Sequence, residues 1–186
     1  DVKRSDTPKY VQVHLAEILD DVLAGVDKEI IIDKIKEFKR TLREMDPWTK
    51  GAPKGVKKVI ENTDLLERLQ REGKPLKTNM PGHVRASINW NYLRKMNGDN
   101  YSMRIVDGMK IVVCKLKDNP LGMTSVAYPV DELRLPKWFT DLPFDEVEME
   151  RVLLDEKIDN MLGVLKWKLR ENTDVNSTFT DLFSFG

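Results

Sequence analysis

An α+β fold is predicted from three observations. Apolar residues recur at helical spacing in the first two helices of a helical part at residues 1–98, the period changes around Asp107-Gly108 within residues 99–130, and an acidic helical stretch follows at residues 131–171. The expected architecture is a domain over residues 1–171, made of a helical part, a small antiparallel β-sheet and an acidic helical part, with a flexible C-terminal tail at residues 172–186.

Thr7-Pro8 predicts the start of a first helix, with Thr7 as N-cap and Pro8 at the first helical position, and Val11, Leu15, Ile18, Leu19, Val22 and Leu23 share a face until Gly25. Asp27 predicts the cap of a second helix. Its apolar face is Ile31, Ile35, Phe38 and Leu42, and Asp46-Pro47 ends it. The short link makes the two an antiparallel pair. Lys50–Lys58 reads as a basic loop punctuated by Gly and Pro, Asp64–Gly73 as a short capped helix, and Val84–Met96 as a further helix. Met103–Val106 and Met109–Leu116, joined by Asp107-Gly108, form a β-hairpin pattern, because Asp-Gly supplies the positive φ angles of a type I′ turn. Ser125–Tyr128 is a third strand after a turn at Asn119–Gly122, and Glu146–Met161 an acidic helix broken at Gly163.

The chain has 186 residues, 40% hydrophobic and 33% charged, which suits one or two compact units and excludes a fully disordered chain. No apolar run approaches the roughly 20 residues that span a bilayer, and no charged-then-apolar leader precedes the first helix. The lone Cys114 favours a reducing, cytoplasmic setting. Net charge is zero, yet Asp1–Lys117 holds 24 Lys/Arg against 17 Asp/Glu and the remainder 7 against 14. Lys50–Lys117 alone has 15 against 6, which is either an electrostatic footprint for a polyanion or an ordinary solvated surface.

Recognisable catalytic patterns are missing from the sequence. Asp20-Asp21 and Asp155-Glu156 are adjacent carboxylates that point apart on a helix, short of the converging ligands a Mg²⁺ site needs. His14 and His83 each lack a second ligand at zinc spacing. Neither a phosphate-cradling Gly-rich loop with a following Lys-Ser/Thr nor a Gly-x-Ser-x-Gly segment occurs. At the other end of the chain, Leu182, Phe183 and Phe185 follow a polar spacer at Glu171–Ser177. Three large apolar side chains, each worth about 1.5–3 kcal/mol when buried, either dock on a partner or fold back onto the body of the protein.

Several segments, in order, resemble the C-terminal thumb region of family-B DNA polymerases of the large tailed bacteriophage type. They are Arg4–Gln12, Pro81-Gly-His-Val-Arg-Ala-Ser-Ile-Asn-Trp-Asn91 with Lys95 after it, Asn119-Pro-Leu-Gly122, Ala127-Tyr-Pro129 and the tail Asp181–Phe185. The His-Val-Arg-Ala segment is the most specific, and the match spans nearly the whole chain. The resemblance implies a thumb that grips primer–template duplex DNA through phosphate and minor-groove contacts. His83, Arg85 and Lys95 fall at the family's basic positions, and Lys54, Lys57 and Lys58 lie in a loop resembling a family Gly-Pro-type loop. Trp90 falls where the family carries an aromatic residue, which packs the helix or lies against a sugar.

By the same resemblance, Leu182, Phe183 and Phe185 form a clamp-binding peptide that tethers the enzyme to a sliding clamp, with Gly186 an added residue after the last Phe. The partners implied are duplex DNA, the clamp and the remaining polymerase domains, in the cytoplasm of an infected bacterial cell and with no membrane. The palm's paired aspartates and the proofreading acidic residues have no counterpart here, so the chain is expected to hold no cofactor itself and not to polymerise DNA alone. The Mg²⁺ belongs to the complete polymerase. The resemblance fits equally a piece of a longer polymerase and the C-terminal subunit of one encoded in two pieces. The alternative is a protein-interaction module recruiting partners through its helices and aromatic tail, without DNA binding. A nuclease built from scattered carboxylates is a weaker third.

Overall fold

The computed structural model describes residues 7–155 and 157–159. Among these the element order is α1 (Lys9–Leu23), α2 (Lys28–Glu44), a 3-10 turn (Pro47–Lys50), β1 (Ala52–Gly55), α3 (Val59–Arg71), α4 (Gly82–Met96), β2 (Lys110–Lys115), β3 (Ser125–Pro129), α5 (Lys137–Thr140) and α6 (Glu146–Glu150), which continues into a π-helical turn at Arg151–Asp155. The class is α+β, with one small antiparallel sheet of order β1-β2-β3. The described residues divide into two compact units, Thr7–Lys50 with those from Val147 onward, and Gly51–Glu146. That division replaces the expected run of consecutive helical, β-rich and acidic parts, because α3 and α4 belong with the sheet. No helix among the described residues is long and apolar enough to cross a membrane. The tail, with Leu182, Phe183 and Phe185, lies outside the described residues.

In the first unit, α1 and α2 each bury one stripe at helical spacing, Val11, Leu15, Ile18 and Val22 on α1 and Ile31, Ile35, Phe38 and Leu42 on α2. Leu153, Leu154 and Ile158 complete the cluster. Each of these side chains is worth about 1.5–3 kcal/mol when fully withdrawn from water. Contacts pair Tyr10 with Thr49, His14 with Phe38, and Asp21 with Lys34, so the helices run antiparallel as predicted. Leu23 leaves the predicted face and is 68% exposed, beyond the end of the buried stripe. The N-cap is Pro8 rather than Thr7, whose carbonyl accepts from the Gln12 amide at 2.8 Å and whose hydroxyl accepts from Lys157.

In the second unit, the predicted hairpin is not the pairing that forms. β2 pairs instead with β1, a segment read from sequence as a loop, in the register Ala52 to Val113 and Gly55 to Lys110. Residues 103–106 are not a strand, because side chains of α4 take up their backbone groups. The Asn91 amide donates to the Ile105 carbonyl at 2.9 Å and accepts from its N–H at 2.8 Å, while the Trp90 indole donates to the Met103 carbonyl at 2.8 Å. β1 tolerates Pro53 because it is an edge strand with one side unpaired. It can approach β2 because residue 51 is glycine, where a Cβ would lie 2.6 Å from Val112 Cγ1 and 2.7 Å from the Val113 carbonyl oxygen.

Asp107-Gly108 still makes a tight turn, with Gly108 at φ +89°. The turn has a second use. Asp107 Oδ1 accepts the Val59 N–H at 2.7 Å, so α3 begins five residues before the predicted Asp64. β3 pairs antiparallel with β2 through Ile111–Pro129 to Lys115–Ser125, and Asn119 organises the turn between them by donating to the Lys117 and Met123 carbonyls. The described part of the predicted acidic helix begins at Glu146 as expected and passes into the π-helical turn after Glu150.

Candidate nucleic-acid interface

α4 carries most of the predicted site, and its two faces do different work. Val84, Ala86, Ser87, Trp90 and Leu93 are buried. Arg85, Tyr92 and Lys95 recur at helical spacing on the other side, with Arg85 half-buried, Lys95 exposed and Tyr92 53% exposed. Arg85 and Lys95 line one cleft of about 1170 Å³ between α3, α4 and the 119–124 turn. Arg94 and Arg104 line the same cleft. Its two carboxylates are Glu67 and Asp99, and Asp99 is spent on internal hydrogen bonds. Although partial burial opposes it, donation from Ser102, Trp138 and Tyr101 holds the Asp99 carboxyl well below the usual carboxylate range.

His83, Lys57 and Lys58 line a second, smaller recess of about 500 Å³, together with Asn62, Gly55 and Gly108. Lys57 and Lys58 are exposed there and His83 is half-buried. The first turn of α4 borders the recess through Pro81, His83 and Val84, and its N-cap residue Pro81 makes no side-chain hydrogen bond to that helix end. Lys58 stands just before α3 at φ +62°, the one non-glycine among the described residues with a positive φ. A lysine held in the left-handed region costs about 1–2 kcal/mol, offset here by the α3 start that its carbonyl supports, accepting from the Asn62 N–H at 3.2 Å and the Asn62 side-chain amide at 2.8 Å. Lys54, on β1 and half-buried, lines neither space.

Trp90 is not a surface residue. It is wholly buried, its ring centroid 4.9 Å from that of Trp138 and 5.3 Å from that of Phe139, and Phe139 in turn meets Tyr128 and Phe144 edge-on at 5.3 Å each. With its indole N–H bound to the Met103 carbonyl, it has no face for a sugar, and core packing is the role the geometry gives it. The sequence pointed to Arg85 and Lys95 but missed Arg94 and Arg104. Arg94 sits on the helix already singled out, where its Nε–H donates to the Ser102 carbonyl at 2.6 Å. Arg104 reaches the cleft only because α4 side chains hold residues 102–105 against the helix, which no local pattern announces.

Among the described residues no group of three or more His, Cys, Asp or Glu side chains converges to hold a metal ion. Cys114 is fully buried in β2, and burial pushes its thiol well above the usual range, so it behaves as a core side chain rather than a nucleophile. No protein-family model matches the chain, and no curated protein matches it. What the fold and the site define is a small α+β unit whose cleft is lined by more positive than negative charge.

Proposed function

We propose that this protein is the thumb portion of a DNA-directed DNA polymerase, gripping primer–template duplex through sequence-independent phosphate contacts. The observation that supports it most is the gathering of Arg85, Arg94, Lys95 and Arg104 into one cleft, with His83, Lys57 and Lys58 around a second recess at the start of the same helix. Cations on a rigid helix meet a regularly spaced phosphate backbone without reading bases, which is the demand placed on an enzyme that must hold any sequence. The half-buried Arg85 is the strongest single contact, since a guanidinium forks onto phosphate oxygens.

Fluorescence anisotropy of a labelled duplex over a salt titration tests this reading. Affinity on the order of 10⁻⁴–10⁻⁶ M at physiological salt, falling steeply with salt and indifferent to base sequence, is expected. Replacing Arg85 and Lys95 together by alanine should weaken binding to all sequences alike and lower the salt slope by about one unit for each lost contact. An unchanged slope would remove both residues from the grip.

The tail carries the second half of the proposal. Leu182, Phe183 and Phe185 insert into an apolar pocket on a sliding clamp, and the tether turns a weak peptide contact into processive retention by effective concentration. Phe183→Ala with Phe185→Ala should abolish retention on a clamp-loaded template, at least a tenfold loss given about 1.5–3 kcal/mol per buried ring, and leave the duplex affinity of the isolated chain unchanged. Parallel loss of both activities would instead make the tail part of the folded body.

A further inference from the structure

Arg94, in the last turn of α4, lines the cleft half-buried and is tied at its neck. Its Nε–H donates to the Ser102 carbonyl at 2.6 Å. That bond uses one of the five guanidinium N–H groups and sets the plane of the other four. The Ser102 carbonyl is in turn held from both sides. It shares a peptide unit with the Met103 N–H, which donates to Glu132 Oε2 at 2.7 Å from the loop after β3. On the near side, the Ser102 N–H donates to Asp99 Oδ1 at 2.9 Å and the Ser102 hydroxyl to Asp99 Oδ2 at 2.5 Å. Carboxylate to N–H and carbonyl to guanidinium polarise the one peptide in the same sense, which strengthens both bonds.

We infer that Glu132 and Asp99 are positioning residues of the grip, holding the Ser102–Met103 peptide so that its carbonyl aims the Arg94 guanidinium into the cleft. Resting on the reading of the cleft as a DNA site, this gives two acidic side chains a part in holding a polyanion. An arginine that turns freely loses rotamer freedom when it forks onto phosphate, whereas one already set in place loses less. The sign of the effect separates this role from plain electrostatics. A carboxylate near a phosphate site repels the ligand, so removing it for its charge alone tightens binding. Removing it from a positioning role loosens binding.

Anisotropy of a labelled blunt DNA duplex against the full chain, at one salt concentration and below every variant's melting transition, tests this. Glu132→Ala should weaken binding by roughly two- to tenfold, the effect of freeing one long side chain, although it deletes a negative charge. Glu132→Gln keeps an oxygen to accept the Met103 N–H and should bind at least as tightly as wild type. Arg94→Ala should itself weaken binding, and adding Glu132→Ala to it should change nothing more, because the carboxylate acts through that guanidinium. Asp99→Asn, which lacks one of the two acceptor oxygens, should likewise weaken binding only while Arg94 is present. Unchanged or tighter binding by Glu132→Ala overturns the inference and leaves the duplex grip standing. So does an Arg94→Ala protein that binds like wild type, or one in which Glu132→Ala causes the same further loss as in wild type. Wild-type protein that binds no duplex removes the grip and the positioning role together.

Discussion

Replacing Glu150 by alanine should destabilise the first unit by about 3–5 kcal/mol, the usual cost of removing one member of a buried ion pair. The Lys50 side chain is 0% exposed, and its ammonium donates to Glu150 Oε1 at 3.0 Å. Arg43 Nε lies 3.9 Å from the other carboxylate oxygen but is 42% exposed, so it adds little. Without Glu150 the Lys50 ammonium keeps its burial and loses the counter-charge 3.0 Å away. The double variant Lys50→Met with Glu150→Leu should recover most of the loss, because an apolar pair of similar volume avoids desolvating two charges. Guanidinium unfolding followed by circular dichroism measures this, and a Glu150→Ala protein with the wild-type midpoint would show that the pair carries no stability. Tyr10 supplies a second readout. Burial, and after it the Glu150 charge, raise its hydroxyl to about 12. Its contribution is therefore full below the unfolded value near 10 and is lost as pH rises toward 12, and Glu150→Ala should move that loss to lower pH.

What was legible in the sequence was what neighbouring residues decide among themselves. α1 and α2 follow from apolar stripes that any amphipathic helix must bury, and β3 from its β-branched and aromatic run. β1 was illegible for a physical reason. Ala-Pro-Lys-Gly carries no strand propensity, and it is a strand because Gly51 lets the backbone lie against β2, a partner supplied from beyond α3 and α4. The segment 103–106 fails in the opposite sense. It has the residues of a strand, yet Asn91 occupies both backbone groups of Ile105 before any sheet partner can. The start of α3 depends on a carboxylate 48 positions downstream. The candidate site divides along the same line: Arg85 and Lys95 could be placed on one helix face by counting, whereas Arg104 and the 119–124 turn join them only once α4 has captured its neighbours.

Trp90→Ala is the second large effect expected, about 3–5 kcal/mol from the emptied space, with a further penalty for the Met103 carbonyl left without its donor. The loss should be felt through the whole second unit, since Trp90 touches Trp138 and Phe139, and Phe139 touches Tyr128 on β3 and Phe144. Trp90→Phe separates packing from hydrogen bonding. It keeps an aromatic ring against Phe139 but has no N–H, and a smaller fall in melting temperature than that of the alanine variant is expected. The decisive comparison is with DNA affinity. A wholly buried side chain cannot stack on a sugar, so Trp90→Phe, assayed well below its melting temperature, should bind duplex like wild type, whereas Arg85→Ala should lose affinity with its melting temperature unchanged. If Trp90→Phe instead bound DNA severalfold more weakly with an unaltered melt, the ring would have to leave its pocket to meet the ligand. The core described for the second unit would then be one of two states rather than a fixed scaffold for the grip.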